Sequence, residues 1–177
     1  AVNTYFERFY GYSIAQNQVT VAAGAKYSLY TFFMAVINPG DEVIIPTPYW
    51  VSYGDQVKMA EGVPVFVPAK EDNHFKVTVE QLEAARTDKT KVLVLNSPSN
   101  PTGMIYTREE LLAIGNWAVE KDILILADDI YGRLVYNGHE FTPISSLSEA
   151  IRKQTVVING VSKTYAMTGW WIGYAVG

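Results

Sequence analysis

One lysine stands out by its surroundings. Lys163 lies within NGVSKTYAMTGWWIG, from Asn159 to Gly173, just after the apolar run Thr155–Ile158 and among Gly160, Ser162, Thr164 and Gly169. An amine leaving the end of a buried strand loses hydration and is driven towards its uncharged, nucleophilic form. The ordinary alternative is a surface lysine whose stem covers apolar area while its ammonium stays in water. Asp128-Asp129-Ile130-Tyr131 follows a second apolar run, Ile123–Leu126. A buried aspartate needs a metal, a helix N-terminus or a cation, or it neutralises. In NSPSNPTG, Asn100 is placed to donate a side-chain hydrogen bond, or it belongs to a plain Asn-Pro turn. Gly24-Ala25-Lys26 ends a third run and opens an apolar helix to about Ile37. Free N–H groups there suit a phosphate, although many strand-to-helix turns carry glycine for shape alone. Trp50, in PTPYW, is either core or a flat face for a ligand ring.

Positioning these residues requires strands. Short apolar runs at Val19–Ala22, Glu42–Ile45, Val63–Val67, Val92–Leu95, Ile123–Leu126, Thr155–Ile158 and Ile172–Val176 are flanked by Gly, Pro, Asp or Asn and predict seven of them. Helical patterns lie between, with capping-box spacing at Thr78/Gln81 and Thr107/Glu110. Near-continuous apolar strands alternating with helices predict an α/β fold, a mostly parallel sheet covered on both faces. In such a sheet the strands' C-terminal ends share one edge, the usual ligand crevice. Gly24, Asn96–Gly103, Asp128–Tyr131 and Ser162–Lys163 all fall just past such ends.

Composition narrows the function classes. The 177 residues suffice for one domain, and 49% hydrophobic with 18% charged residues is ordinary for a globular protein. A net charge of −4 without a basic stripe argues against nucleic acid. With no cysteine and only His74 and His139 as imidazoles, a metal site is not expected. No segment has the length of a membrane span, and the opening AVNTYFERFYGYS does not read as a signal peptide, so a cytoplasmic protein is expected. The chain opens inside an amphipathic helix and stops after a strand, which predicts a piece of something larger.

Taken together, GAK, PTPYWVSY, NSPSNPTG, ADDIY and SKTYAMTGWWIGY, in this order, resemble the class I/II aminotransferases, pyridoxal-phosphate enzymes of fold type I. The resemblance runs from about Val19 to the end, and the wording is most similar to the bacterial aspartate aminotransferase branch. It implies that residues 1–177 form a truncated pyridoxal-phosphate-binding large domain, the small domain being absent. It further implies that Lys163 forms a Schiff base with pyridoxal 5'-phosphate and then moves the substrate proton. Asp128 would keep the ring nitrogen protonated, Tyr131 and Asn100 would meet the phenolic oxygen, and Trp50 would stack on the ring. Gly24, Ala25 and Lys26 would meet the phosphate, and Lys26 would also attract a distal carboxylate. The implied reaction moves an amino group from an amino acid, aspartate in this branch, to a 2-oxo acid, in a homodimeric full-length enzyme.

One position departs from the family. Where its pattern has an arginine, eight residues after the lysine, this chain has Trp171. Charge-assisted hydrogen bonds contribute about 1.5–3 kcal/mol each, so losing a guanidinium fork weakens phosphate binding by roughly two to four powers of ten. Two alternatives therefore stand beside the aminotransferase: a non-catalytic remnant with weak or no cofactor binding, and a pyridoxal-phosphate lyase on the same fold.

Overall fold

The apolar runs become seven strands: β1 (Val19–Ala23), β2 (Glu42–Thr47), β3 (Val63–Pro68), β4 (Thr90–Asn96), β5 (Leu124–Asp128), β6 (Thr155–Gly160) and β7 (Ile172–Val176). They form one sheet in the order β1-β7-β6-β5-β4-β2-β3 in the computed structural model, which describes residues 1–177. Strands β2 to β6 pair in parallel, whereas β7 is antiparallel to both its neighbours, β6 and β1. Because β7 alone is reversed, β1 points the same way as β6. Its C-terminal end, followed by Gly24, therefore joins the edge shared by the parallel strands.

Six α-helices complete the layers: α1 (Val2–Phe9), α2 (Ala25–Val36), α3 (Ser52–Met59), α4 (Val79–Ala85), α5 (Arg108–Glu120) and α6 (Glu149–Lys153). Both expected capping boxes form, Thr78 with Gln81 at α4 and Thr107 with Glu110 at α5. Strand periodicity divides the core. Val92 and Val94 of β4 join Leu29, Phe32 and Phe33 of α2 and Val57 of α3 on one face. Leu93 and Leu95 join Leu82 of α4, with Leu111 and Ile114 of α5, on the other, where Phe6 of α1 also packs. Each such fully buried side chain contributes roughly 1.5–3 kcal/mol, so both faces hold the central strands in register.

Two strand ends differ from expectation in a way that matters. The apolar pattern stops at Leu95 and Leu126, yet β4 continues to Asn96 and β5 to Asp128, which lie side by side in the ladder. Polar side chains are tolerated there because each finds hydrogen-bond partners, and the backbone ladder continues beneath them. Gly173 of β7 lies opposite Ala22 of β1. A Cβ on Gly173 would collide with the backbone of Gly24 and Ala25. The turn into α2 therefore rests directly on β7.

Gly173→Ala should push this turn off the sheet and lower stability by about 1–3 kcal/mol, read as a reduced urea midpoint. Gly169→Ala, where an added Cβ meets nothing within 4 Å, should stay within about 0.5 kcal/mol of the parent. Equal effects would contradict the close approach at Gly173.

Candidate active site

The C-terminal edge of the sheet gathers the positions that the sequence singled out. Gly24 caps α2 with φ 88° and ψ 157°, a backbone state open to glycine and strained for other residues. Ala25 and Lys26 open the helix, where first-turn N–H groups have no intrahelical acceptor. Trp50 precedes α3, Asn100 lies in the turn after β4, Tyr131 follows β5 and Lys163 follows β6. All of these, with Asp128, line one open cavity of ≈ 420 Å³, which Tyr53, Asn96 and Trp171 also line.

The adjacent aspartates face opposite sides of the sheet, as the twofold period of a strand requires. Asp128 is 3% exposed. Its Oδ2 accepts from the Tyr53 hydroxyl at 2.6 Å, and its Oδ1 accepts from the Ile130 N–H at 3.3 Å. Burial pushes its carboxyl up to about 6, against the two hydrogen bonds, which pull it down. Asp129 is 4% exposed and accepts from the Tyr10 hydroxyl at 2.8 Å. Burial, and then the charge of Asp128, hold its carboxyl well above the ordinary range, and the Tyr10 hydrogen bond only partly offsets this. Neither aspartate is paired with a lysine or arginine. No group of three or more His, Cys, Asp or Glu is arranged to hold a metal ion. The partners foreseen from sequence were a metal, a helix end or a cation; those found within the chain are tyrosine hydroxyls. The choice follows from burial, because a neutral hydroxyl is cheaper to enclose than a second charge.

Two residues that organise the site have no role in the sequence reading, although Asn96 falls in a segment placed at the shared edge and Tyr53 in PTPYWVSY. Asn96 donates from Nδ2 to the Asp128 carbonyl at 2.8 Å and accepts from the Asn100 N–H at its Oδ1, also at 2.8 Å. It thereby ties the Asn100 turn to the end of β5. Tyr53, 2% exposed, reaches Asp128 across 75 residues of sequence while its ring meets Trp50 edge-on at 5.4 Å. The only sequence signal for either was its place: Asn96 ends a strand, and Tyr53 lies one turn from Trp50. Gln56 of α3 adds a bond from Nε2 to the Lys26 carbonyl at 3.0 Å, so α3 braces both ends of the cavity.

The cationic side chains sit differently from expectation. Lys163 is exposed, whereas its position after a buried strand predicted desolvation. The strand is buried as foreseen, but the turn after β6 carries Lys163 out onto the open side of the cavity, with Nζ 5.8 Å from the Tyr131 ring centroid. Trp50 is half-buried and presents its indole to Lys26, whose Nζ lies 4.9 Å from the ring centroid. Trp171 is 70% exposed, with φ 53°. An uncharged indole thus lines the cavity one residue before β7, the strand on which the turn into α2 rests.

A buried carboxyl, an exposed amine and a helix N-terminus lining one open cavity form a coherent site, and comparison with known proteins agrees. The model of the family described as aminotransferase class I and II matches residues 1–177. The chain is 71% identical over 177 residues, all of its length and 45% of the relative's, to an asparagine–oxo-acid transaminase of Streptococcus mutans. It is 58% identical over 161 residues, 91% of the chain and 41% of the relative, to an aspartate aminotransferase of a Bacillus species. The crystal structure of the aspartate aminotransferase from Rhizobium meliloti superposes with a TM-score of 0.97 at 43% identity, over 99% of this chain and 44% of that one. The chain spans under half the length of the relatives it matches. It belongs to the class I and II aminotransferases.

Proposed function

We propose that this cavity holds pyridoxal 5'-phosphate and that, within a longer homodimeric enzyme of the cytoplasm, it serves transfer of an amino group from aspartate to a 2-oxo acid. The observation that carries the proposal is Asp128, a carboxyl almost wholly out of water, hydrogen-bonded but without a cation. A protonated pyridine nitrogen supplies the missing partner. The open space beside Gly24, where a Cβ would meet nothing within 4 Å, leaves the α2 N-terminus accessible to a phosphate. The residues present fit the group.

Bound there, pyridoxal phosphate supplies an electron sink for the pair released at the substrate Cα. The chain does the rest. Asp128 holds the proton on the ring nitrogen. Asn100 and Tyr131 would donate to the phenolic oxygen, and Trp50 would offer its face to the ring. Gly24, Ala25 and Lys26 meet the phosphate. Lys163 would hold the aldehyde end through Nζ, and its amine would take the proton from the substrate Cα. Lys26 attracts the distal carboxylate of an acidic donor. The 71% identity to an asparagine–oxo-acid transaminase favours a second donor, asparagine; comparing both in the longer enzyme decides between them. Trp171 favours a further reading, a domain that binds the cofactor weakly. A lyase has no comparable support.

Incubation with pyridoxal phosphate, borohydride reduction and peptide mass mapping should give one adduct, on Lys163. Lys163→Ala should abolish it; adducts scattered over several lysines at high concentration would favour the weakly binding domain. Trp171→Arg should tighten pyridoxal phosphate by roughly two to four powers of ten in an equilibrium titration, and an unchanged affinity would remove the guanidinium argument. Tyr53→Phe removes a hydrogen bond that lowers the Asp128 carboxyl. The pH midpoint of cofactor binding should therefore rise, with affinity at neutral pH reduced roughly three- to tenfold.

A further inference from the structure

Asp129 has no part in the scheme above, yet it is as buried as Asp128 and is built in with equal care. Its N–H bonds the Ile158 carbonyl at 2.9 Å, so it continues the ladder of β5. Its Oδ2 accepts from Tyr10, the C-cap of α1, at 2.8 Å, and the Tyr10 oxygen accepts from Asn159 Nδ2 at 3.4 Å. Tyr10 is fixed in turn by stacking on Phe6 at 4.1 Å. The strand exit is thus gripped on both faces by buried tyrosine hydroxyls, Tyr53 at Asp128 and Tyr10 at Asp129.

The groups facing Asp129 are Tyr5 and Tyr10 at α1, Tyr12 after it, Tyr174 of β7, and Asp128 itself. None is a cation. Arg133, further along the chain, stacks over the Phe9 ring at 4.1 Å, and Arg152 over Tyr12 at 4.1 Å. A buried carboxyl with no cation facing it resists ionisation, and the charge of Asp128 adds to that resistance at Asp129. Only Asp128 borders the cavity, where a cationic ligand can reach it.

We propose that Asp129 is a positioning residue, held on the opposite face by the Tyr10–Asn159 cluster and kept as a neutral acid by its burial away from any cation, so that Asp128 alone carries the negative charge of the pair. The proposal deepens the cofactor reading and rests on it for the role of Asp128. Its charge assignment stands apart, in the cofactor-free chain.

The test has one arm without cofactor and one with it. A carboxyl kept protonated in the fold but free to ionise when unfolded costs stability as pH rises above its ordinary value of about 4. In urea denaturation of the 177-residue chain, the ratio of folding constants, Asp129→Asn over parent, should rise about tenfold per pH unit from about pH 4 towards neutrality. Asp128 titrates in both proteins and divides out. A ratio independent of pH would mean that Asp129 is ionised in the fold and would overturn the charge assignment. In the second arm, Asp129→Ala should lower pyridoxal phosphate affinity about tenfold, and Asp129→Asn, which still accepts from Tyr10, should recover most of it. An alanine variant that folds and binds like the parent, or an asparagine variant as weak as a folded alanine variant, would overturn the positioning role. If the alanine variant does not fold, Tyr10→Phe takes its place, with the same loss expected and parental affinity overturning the role. Failure of the parent chain to bind pyridoxal phosphate would overturn the cofactor reading and with it the positioning role, while the stability ratio still decides the charge.

Discussion

A carboxyl removed from water is favoured as an anion by hydrogen bonds and by an opposite charge, and within this chain Asp128 has only the first. Much of the site follows from that imbalance. Tyr53 is held in the α2–α3 layer so that its hydroxyl reaches Oδ2, and Asn96 continues β4 so that its amide reaches the Asp128 carbonyl. The charge is left to be matched from the cavity side. Burial consequently lifts the carboxyl to about 6 rather than leaving it in the ordinary carboxylate range, and a cation entering the cavity lowers it again.

The architecture makes such a residue possible. Parallel strands end together, and loops far apart in sequence converge there. The reversal of β7 brings the α2 N-terminus to the same edge, with Gly173 allowing the turn at Gly24 to sit against the sheet. Helix N-terminus, buried carboxyl and exposed lysine thus line one cavity. Trp171, an uncharged indole, lines this cavity together with the α2 N-terminus and Lys26, whose Nζ lies over Trp50.

Much of this was legible in the sequence. Short β-branched runs between helical patterns gave the strands, and β7 was found with its observed ends, because apolar periodicity reports burial directly. The direction of β7 was not legible, since a buried strand has the same apolar pattern whichever way it runs. Strand ends at Asn96 and Asp128 were missed because polar side chains look like loop until their partners are known. Tyr53 lies 75 residues from Asp128 and Tyr10 lies 119 from Asp129, and nothing local announces either contact. The opposite orientation of the two aspartates was implicit in strand periodicity. Lys163 shows the limit of arguing from neighbours: a buried strand does not bury the turn that follows it.

The most direct measurement is a carbon-13 NMR titration of the Asp128 side-chain carboxyl, identified by its loss in Asp128→Asn. In the cofactor-free chain its midpoint should lie near 6, and adding pyridoxal phosphate should move it downward as the ring nitrogen supplies the cation. A midpoint at the ordinary value of about 4, or one that pyridoxal phosphate leaves in place, would contradict the account.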